Sequence, residues 1–224
     1  VDLFPTCVVD ALAPEVGVAA VRVLRRLGWR VGVPEAATCC GQPAWNAGEV
    51  DAAATVARTT LQALAASDAE AIVVPAGSCA TMMRVFWREL FHLAGDGQAA
   101  RAASEVAART MEFSEFVAAQ PAVASIPAAK VAAQPAAVYH HSCHMLRELG
   151  IEQQPESLLR RTGADCRDSA ARGRCCGFGG TFSVKLPETS VAMADDVLDA
   201  ASACGAGEVV GCDASCLLHL RSRA

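Results

Sequence analysis

The sequence predicts an α/β protein of two pseudo-repeated modules, each a small parallel sheet flanked by helices, with cysteine loops at the carboxyl ends of the strands. Three observations predict it. Cys7, Cys39 and Cys40 recur as Cys143, Cys175 and Cys176 at a shift of 136, with 31 residues ahead of each adjacent pair. "IVVPAGSCATMMR" at 72–84 matches "VVGCDASCLLHLR" at 209–221 at a shift of 137, which sets Cys79 on Cys216. Short apolar runs alternate with stretches of helical period, the pattern of parallel strands joined by crossover helices.

In order, "VDLF" reads as a strand. Residues 14–28 carry apolar side chains at Val18, Val21, Leu24 and Leu27, with Pro14 at the start and Gly28 at the end, and read as an amphipathic helix. "WRVGV" at 29–33 reads as a second strand, 49–66 as an alanine-rich helix, and "AIVVP" as a buried strand. Helices are expected from about Ala80 and from about Gln98. The second copy repeats the plan: a strand in "AAVYH", a helix around 155–162 closed by Gly163, a strand near 164–168, a long helix from Pro187 and a strand in "GEVVG". The expected division is a first module at 1–117, a proline-bearing connection at 118–135 and a second module at 136–224 with no counterpart of residues 85–117.

Bulk properties narrow the function classes. Hydrophobic residues make up 53% and charged residues 19%, and no stretch approaches a membrane span. The net charge of −5, with no basic run longer than an arginine pair, argues against nucleic acid as a partner. The opening "VDLFPTCVVD" lacks the features of a secretory signal, so a cytoplasmic location is expected. Eleven cysteines in such a chain read poorly as a disulfide framework and better as metal or redox chemistry.

Each repeated cysteine falls just past a strand. The carboxyl ends of parallel strands form the ligand-binding edge of an open sheet, so four thiols distant in sequence converge there in each module. Soft thiolate groups of this kind select iron–sulfur clusters, zinc or copper(I). Adjacent cysteines crowd one tetrahedral ion, and no short zinc hook of the CxxC type is present, which favours iron–sulfur and leaves zinc as the alternative. Gly41, and Gly177, Gly179 and Gly180 in "CCGFGG", suit close approach of backbone N–H groups to cluster sulfurs.

Two copies of Cys, 31 residues, "CCG", and a cysteine about 38 residues on resemble the cysteine-rich CCG domain of heterodisulfide reductase and of several dehydrogenase iron–sulfur proteins. "CCGQPAWNAGE", "PAGSCATMMR", "HHSCHMLRELGI" and "CCGFGGTFSVKLPETSVAMADDVLDA" resemble the lactate utilization protein A family more narrowly, over essentially the whole chain. That resemblance implies an electron-transfer subunit of a complex oxidising L-lactate to pyruvate, inactive alone, whose partners are a ferredoxin-like iron–sulfur protein and a third subunit. It also implies [4Fe-4S]-type clusters, one on Cys7, Cys39, Cys40 and Cys79 and one on Cys143, Cys175, Cys176 and Cys216. The heterodisulfide reductase motif ends in CxxC, and five cysteines hold a noncubane cluster. Here Ala76 stands where the first copy would carry the extra thiol, and Cys212 precedes Cys216 by three intervening residues instead of two.

Other residues carry weaker signals. His140, His141 and His144 in "YHHSCH" could shuttle protons, contact substrate or replace a thiolate. Lys185 could meet a substrate carboxylate or an acidic partner. Cys166 and Cys204 have no repeat partner and read as packing residues, as do Trp29, Trp45 and Trp87, with Trp45 close enough to the first CCG to shield a cluster. Two other function classes stay open: a scaffold whose loops hold zinc or nothing, and direct thiol or cluster-dependent reduction of the heterodisulfide reductase type.

Overall fold

A computed structural model describes residues 1–125 and 135–224. The chain divides into two compact units, Val1–Phe113 with Gly179–Thr181, and Ser114–Phe178 with Phe182–Ala224.

The first runs β1 (Asp2–Leu3), α1 (Cys7–Leu12), α2 (Pro14–Arg26), α3 (Gln42–Asn46), α4 (Val50–Ala65), β2 (Ile72–Val74) and α5 (Gly77–Thr81). A π-helical turn at Met82–Phe86 carries α5 into α6 (Trp87–Leu93), followed by α7 (Gly97–Ala108) and β3 (Thr110–Glu112). The three strands pair in parallel in the order β1-β2-β3. Ile72, Val73 and Val74 are wholly buried, as a central parallel strand covered on both faces requires. Leu24 of α2, Leu61 and Leu64 of α4, and Met82, Trp87, Leu90 and Phe91 complete this core. α2 begins on Pro14, places Arg25 and Arg26 at the negative end of its dipole, and stops at Gly28 with φ of 91°.

The expected strand at 29–33 is reduced to a single parallel bridge between Asp2 and Gly32. A side chain at Gly32 would have to displace the Asp2 carboxylate, and Val33 is left exposed, so this edge has no apolar face to extend. β3, a strand for which the sequence reading made no provision after the helix from Gln98, spans three residues whose Thr110 and Glu112 are buried.

The second unit follows with α8 (Phe113–Ala118), which opens at the unit boundary, then α9 (Pro121–Ser125), β4 (Ala137–His140), α10 (Cys143–Arg147), α11 (Gln153–Arg161), β5 (Cys166–Arg167), α12 (Phe182–Lys185), α13 (Pro187–Ala203), β6 (Glu208–Gly211) and α14 (Ala214–Arg221). Its sheet is parallel in the order β5-β4-β6. Counting the Gly32 bridge as a vestigial strand, the order bridge-β1-β2 matches β5-β4-β6, with β3 added beyond β2, so the sequence repeat is also a repeat of topology. In both, the chain leaves the first strand of the unit, β1 or β4, to one side and returns on the other, the switch point at which open sheets bind ligands. Of the connection expected at 118–135, residues 121–125 form α9, and 126–134 lie outside the described residues.

Candidate functional site

In the first unit Cys7 opens α1 four residues beyond β1, Cys39 and Cys40 precede the turn at Gly41, and Cys79 lies in α5 just after β2. The fold brings all four together in the order Cys7, Cys39, Cys40, Cys79. The Cys7 thiol donates to the Cys39 sulfur at 3.5 Å, and the sulfurs of Cys40 and Cys79 lie 3.2 Å apart. The Gly41 N–H points at Cys39 Sγ, 3.5 Å away. Hydrogen bonds from the Cys40 and Cys7 thiols hold Cys39 as a thiolate, with its pKa drawn down from 9.0 to about 3. Cys7 and Cys40 are pushed well up, chiefly because each donates to Cys39, helped by the partial burial of Cys7 and, for Cys40, by the neighbouring Cys79 sulfur and full burial.

The second unit repeats the arrangement. Cys143 opens α10 after β4, Cys175 and Cys176 precede Gly177, and Cys216 lies in α14 after β6. The sulfurs of Cys176 and Cys216 lie 2.9 Å apart, and the Gly177 N–H lies 3.4 Å from Cys175 Sγ. Cys175 is lowered to about 2 by hydrogen bonds from Cys143 and Cys176, and those two are raised in turn. Cys176 and Cys216 also pack in an apolar cluster with Ala171, Ala194, Val197 and Leu220.

Each adjacent pair is shaped by its glycine. Gly41 has φ of 85° and Gly177 of 88°, a region that costs other residues strain. A Cβ on Gly41 would lie 2.7 Å from the Ala53 carbonyl oxygen of α4, and one on Gly177 would collide with the Ser190 carbonyl oxygen of α13. Both loops therefore press against a helix further along the chain, α4 and α13, with no room for a methyl group.

Several anchors of these loops carry no cysteine, and their sequence context does not single them out. Trp87, which reads from sequence as a packing residue, donates its indole N–H to the Cys40 carbonyl at 2.8 Å. The Thr60 hydroxyl donates to the Cys39 carbonyl at 2.8 Å and accepts the Thr38 N–H at 3.0 Å. In the second unit the Ser190 hydroxyl donates to the Gly177 carbonyl at 2.8 Å, with His219 Nε2 3.1 Å from that hydroxyl. Thr6, just ahead of Cys7, holds φ of 67°, a strained conformation for a β-branched residue, and accepts the Val9 N–H as helix cap.

The three histidines separate. His140 is buried, its Nε2 has no hydrogen-bond partner, and a ring nitrogen lies within 4.8 Å of the sulfurs of Cys176 and Cys216. Burial lowers its pKa from 6.5, against an opposing pull from Asp213 and Cys175. His141 is also buried, but its Nε2 meets the Glu152 carbonyl at 3.2 Å and Glu156 at 3.4 Å. His144 pairs with Glu148 one turn along, at 3.3 Å. Cys212 directs its thiol to Met145 Sδ at 3.3 Å and to the Asp213 carboxylate at 3.5 Å. Lys185 is exposed in α12. Gly179 and Gly180, with φ of 53° and 64°, group with the first unit instead of the second. Cys166 lies in β5, and Cys204 donates to the Ala201 carbonyl at the end of α13.

The donor chemistry fits a thiophilic metal group. Four thiols meet in each unit, each set already shares one lost proton, and a buried imidazole nitrogen stands unpaired at the second.

The cysteine-rich (CCG) domain family matches twice, at residues 1–84 and 137–221. Lactate utilization protein A of Exiguobacterium sp. strain AT1b is 43% identical over 225 residues, covering all of this chain and 89% of the relative. The protein of the same name from Bacillus cereus strain B4264 is 41% identical, again over the whole chain and 90% of the relative. The chain belongs to the lactate utilization protein A family. The two CCG matches of this family member contain all eight repeated cysteines, and the second also contains His140 and Cys212.

Proposed function

We propose that the chain is an iron–sulfur electron-transfer subunit of a complex that oxidises L-lactate to pyruvate. The observation that carries the reading is the duplicated four-thiol array, with a glycine N–H on the first sulfur of each adjacent pair. Cys7, Cys39, Cys40 and Cys79 would hold one centre, and Cys143, Cys175, Cys176 and Cys216 the other, with Cys212 as a fifth thiol near the second. When bound, an iron–sulfur group supplies reversible one-electron chemistry, so two centres match the two electrons released when lactate becomes pyruvate.

This chain's residues provide the setting. The N–H groups of Gly41 and Gly177 place positive dipole on the sulfur that carries most negative charge, which raises a reduction potential. Trp87, Thr60 and Ser190 fix the loop carbonyls, so the sulfurs keep their places as charge changes. Buried apolar neighbours keep water from Cys40, Cys79, Cys176 and Cys216. The name of the relatives supports lactate as the substrate of the system. A ferredoxin-like iron–sulfur protein and a third subunit are the proposed partners, and the cytoplasm the proposed location. Among the described residues no helix is long and apolar enough to cross a membrane.

The pairwise chain of sulfurs favours a polynuclear group over zinc in the first unit. Among the described residues, one group of three donors closes to within 4.8 Å, His140 with Cys176 and Cys216, and it belongs to the second unit. That group favours a second reading there, a single zinc ion in a scaffold subunit. Anaerobic purification with iron, acid-labile sulfide and zinc analysis decides between them. Iron and sulfide in equal amounts support electron transfer, and stoichiometric zinc without iron overturns it.

A further inference from the structure

We infer that His140 is a nitrogen ligand of the second centre, so that the two centres differ in donor set, sulfur only in the first unit and mixed sulfur and nitrogen in the second. The inference rests on the metal-binding reading above and adds a residue and an asymmetry to it.

Four observations converge. The two units share a cysteine frame and a strand order, so residues in register can be compared directly. At the register of His140 the first copy has Phe4, and both are buried. An imidazole in a phenylalanine position loses its hydration unless a partner replaces the water, and the Nε2 of His140 has no hydrogen-bond partner. The missing partner has a candidate at hand, because a ring nitrogen of His140 and the sulfurs of Cys176 and Cys216 all lie within 4.8 Å of one another. Zinc–sulfur and zinc–nitrogen bonds of about 2.3 and 2.0 Å put two ligands of one tetrahedral ion roughly 3.5 Å apart, so little movement closes this group on a metal atom.

The surroundings differ in the same sense. Cys212 and Asp213 stand in register with Pro75 and Ala76, and Asp213 is buried like Ala76. Three changes in register, Phe4 to His140, Pro75 to Cys212 and Ala76 to Asp213, therefore turn an apolar lining into one with a nitrogen, a thiol and a carboxylate. A carboxylate near a metal-bound histidine is the usual means of orienting it. His141 and His144, close by in sequence, are engaged elsewhere, with Glu152 and Glu156 and with Glu148.

The test uses the full chain, loaded anaerobically and produced with 15N-histidine, and reads electron spin echo modulation at the signal that Cys176→Ser removes. Histidine nitrogen modulation at that signal, lost in His140→Phe, supports the assignment. No histidine modulation, or modulation that persists in His140→Phe, overturns it while leaving an iron–sulfur function intact. His140→Phe installs the residue of the first copy; if it fails to fold, His140→Gln is read for the same loss or persistence of the labelled nitrogen. If the chain takes zinc and no iron, the electron-transfer reading falls and the assignment is decided with cobalt(II) in place of zinc. Ligand-field bands that shift in the His140 variant support it, and unchanged bands overturn it.

Discussion

The indole Nε1 of Trp87 donates to the carbonyl oxygen of Cys40 at 2.8 Å, inside a core where the tryptophan is wholly buried. The bond ties the helix after β2 to the cysteine loop, although 47 residues separate the two in sequence. Trp87→Phe keeps most of the ring volume and leaves the Cys40 carbonyl unpaired, which costs about 1–3 kcal/mol. Chemical denaturation of the metal-free chain measures this. The same variant alters the first centre's resonance and leaves the second's in place; a variant as stable as the parent removes the anchoring role.

Gly41→Ala and Gly177→Ala each force an L residue to a positive φ and drive a methyl group into a helix carbonyl. The left-handed backbone alone costs about 1–3 kcal/mol, and the clash adds to it. Each substitution is therefore expected to lower iron content at its own centre by half or more. Gly28→Ala, at a positive φ with open space around it, is the control for strain without the clash. Equal iron content in all three variants would show that the close approach to α4 and α13 does not matter.

The metal-free chain should show two unusually acidic thiols. Cys39 falls to about 3 and Cys175 to about 2, against 9.0 for an ordinary thiol. A lowered folded pKa means that the native state has already shed a proton the unfolded chain retains. The stabilisation from these two thiolates is thus present above pH 9 and is lost as pH falls through about 3 and 2. The thiols of Cys7, Cys40, Cys143 and Cys176 act oppositely, because their raised values preserve stability below pH 9 and withdraw it above. At pH 5 an ordinary thiol is only about one part in ten thousand thiolate, and the lower nucleophilicity of an acidic thiolate offsets all but about tenfold of the advantage. Iodoacetamide at pH 5, followed by peptide mass analysis, should therefore label Cys39 and Cys175 about tenfold faster than the other cysteines. Uniform labelling that rises tenfold per pH unit toward 9 would contradict the thiolate assignment.

The frame of the site is legible because it is periodic in sequence. A shift of 136 to 137 places eight cysteines and two glycines in register, and strand-end logic then predicts their convergence. What is not legible depends on contacts between distant segments. Nothing near Trp87 or Thr60 signals a hydrogen bond to residues 39 and 40, and Ser190 looks like any serine in an amphipathic helix. β3 escapes a sequence reading because three residues carry too little period to outweigh the helix before them. The strand at 29–33 is overread because valine and tryptophan favour strands, while Gly32 leaves a single bridge. His140 is an intermediate case. Its pairing with Phe4 lies in the repeat itself, a polar residue in register with a core aromatic, and that mismatch is the signal the sequence carries.

The most direct test of two independent iron–sulfur centres is electron paramagnetic resonance of the anaerobically purified chain and of its Cys40→Ser and Cys176→Ser variants, with iron and sulfide measured on each. Two signals are expected, with Cys40→Ser abolishing one, Cys176→Ser the other, and each variant retaining about half of the iron. Loss of both signals in either variant, or a chain that carries zinc and no iron, would contradict it.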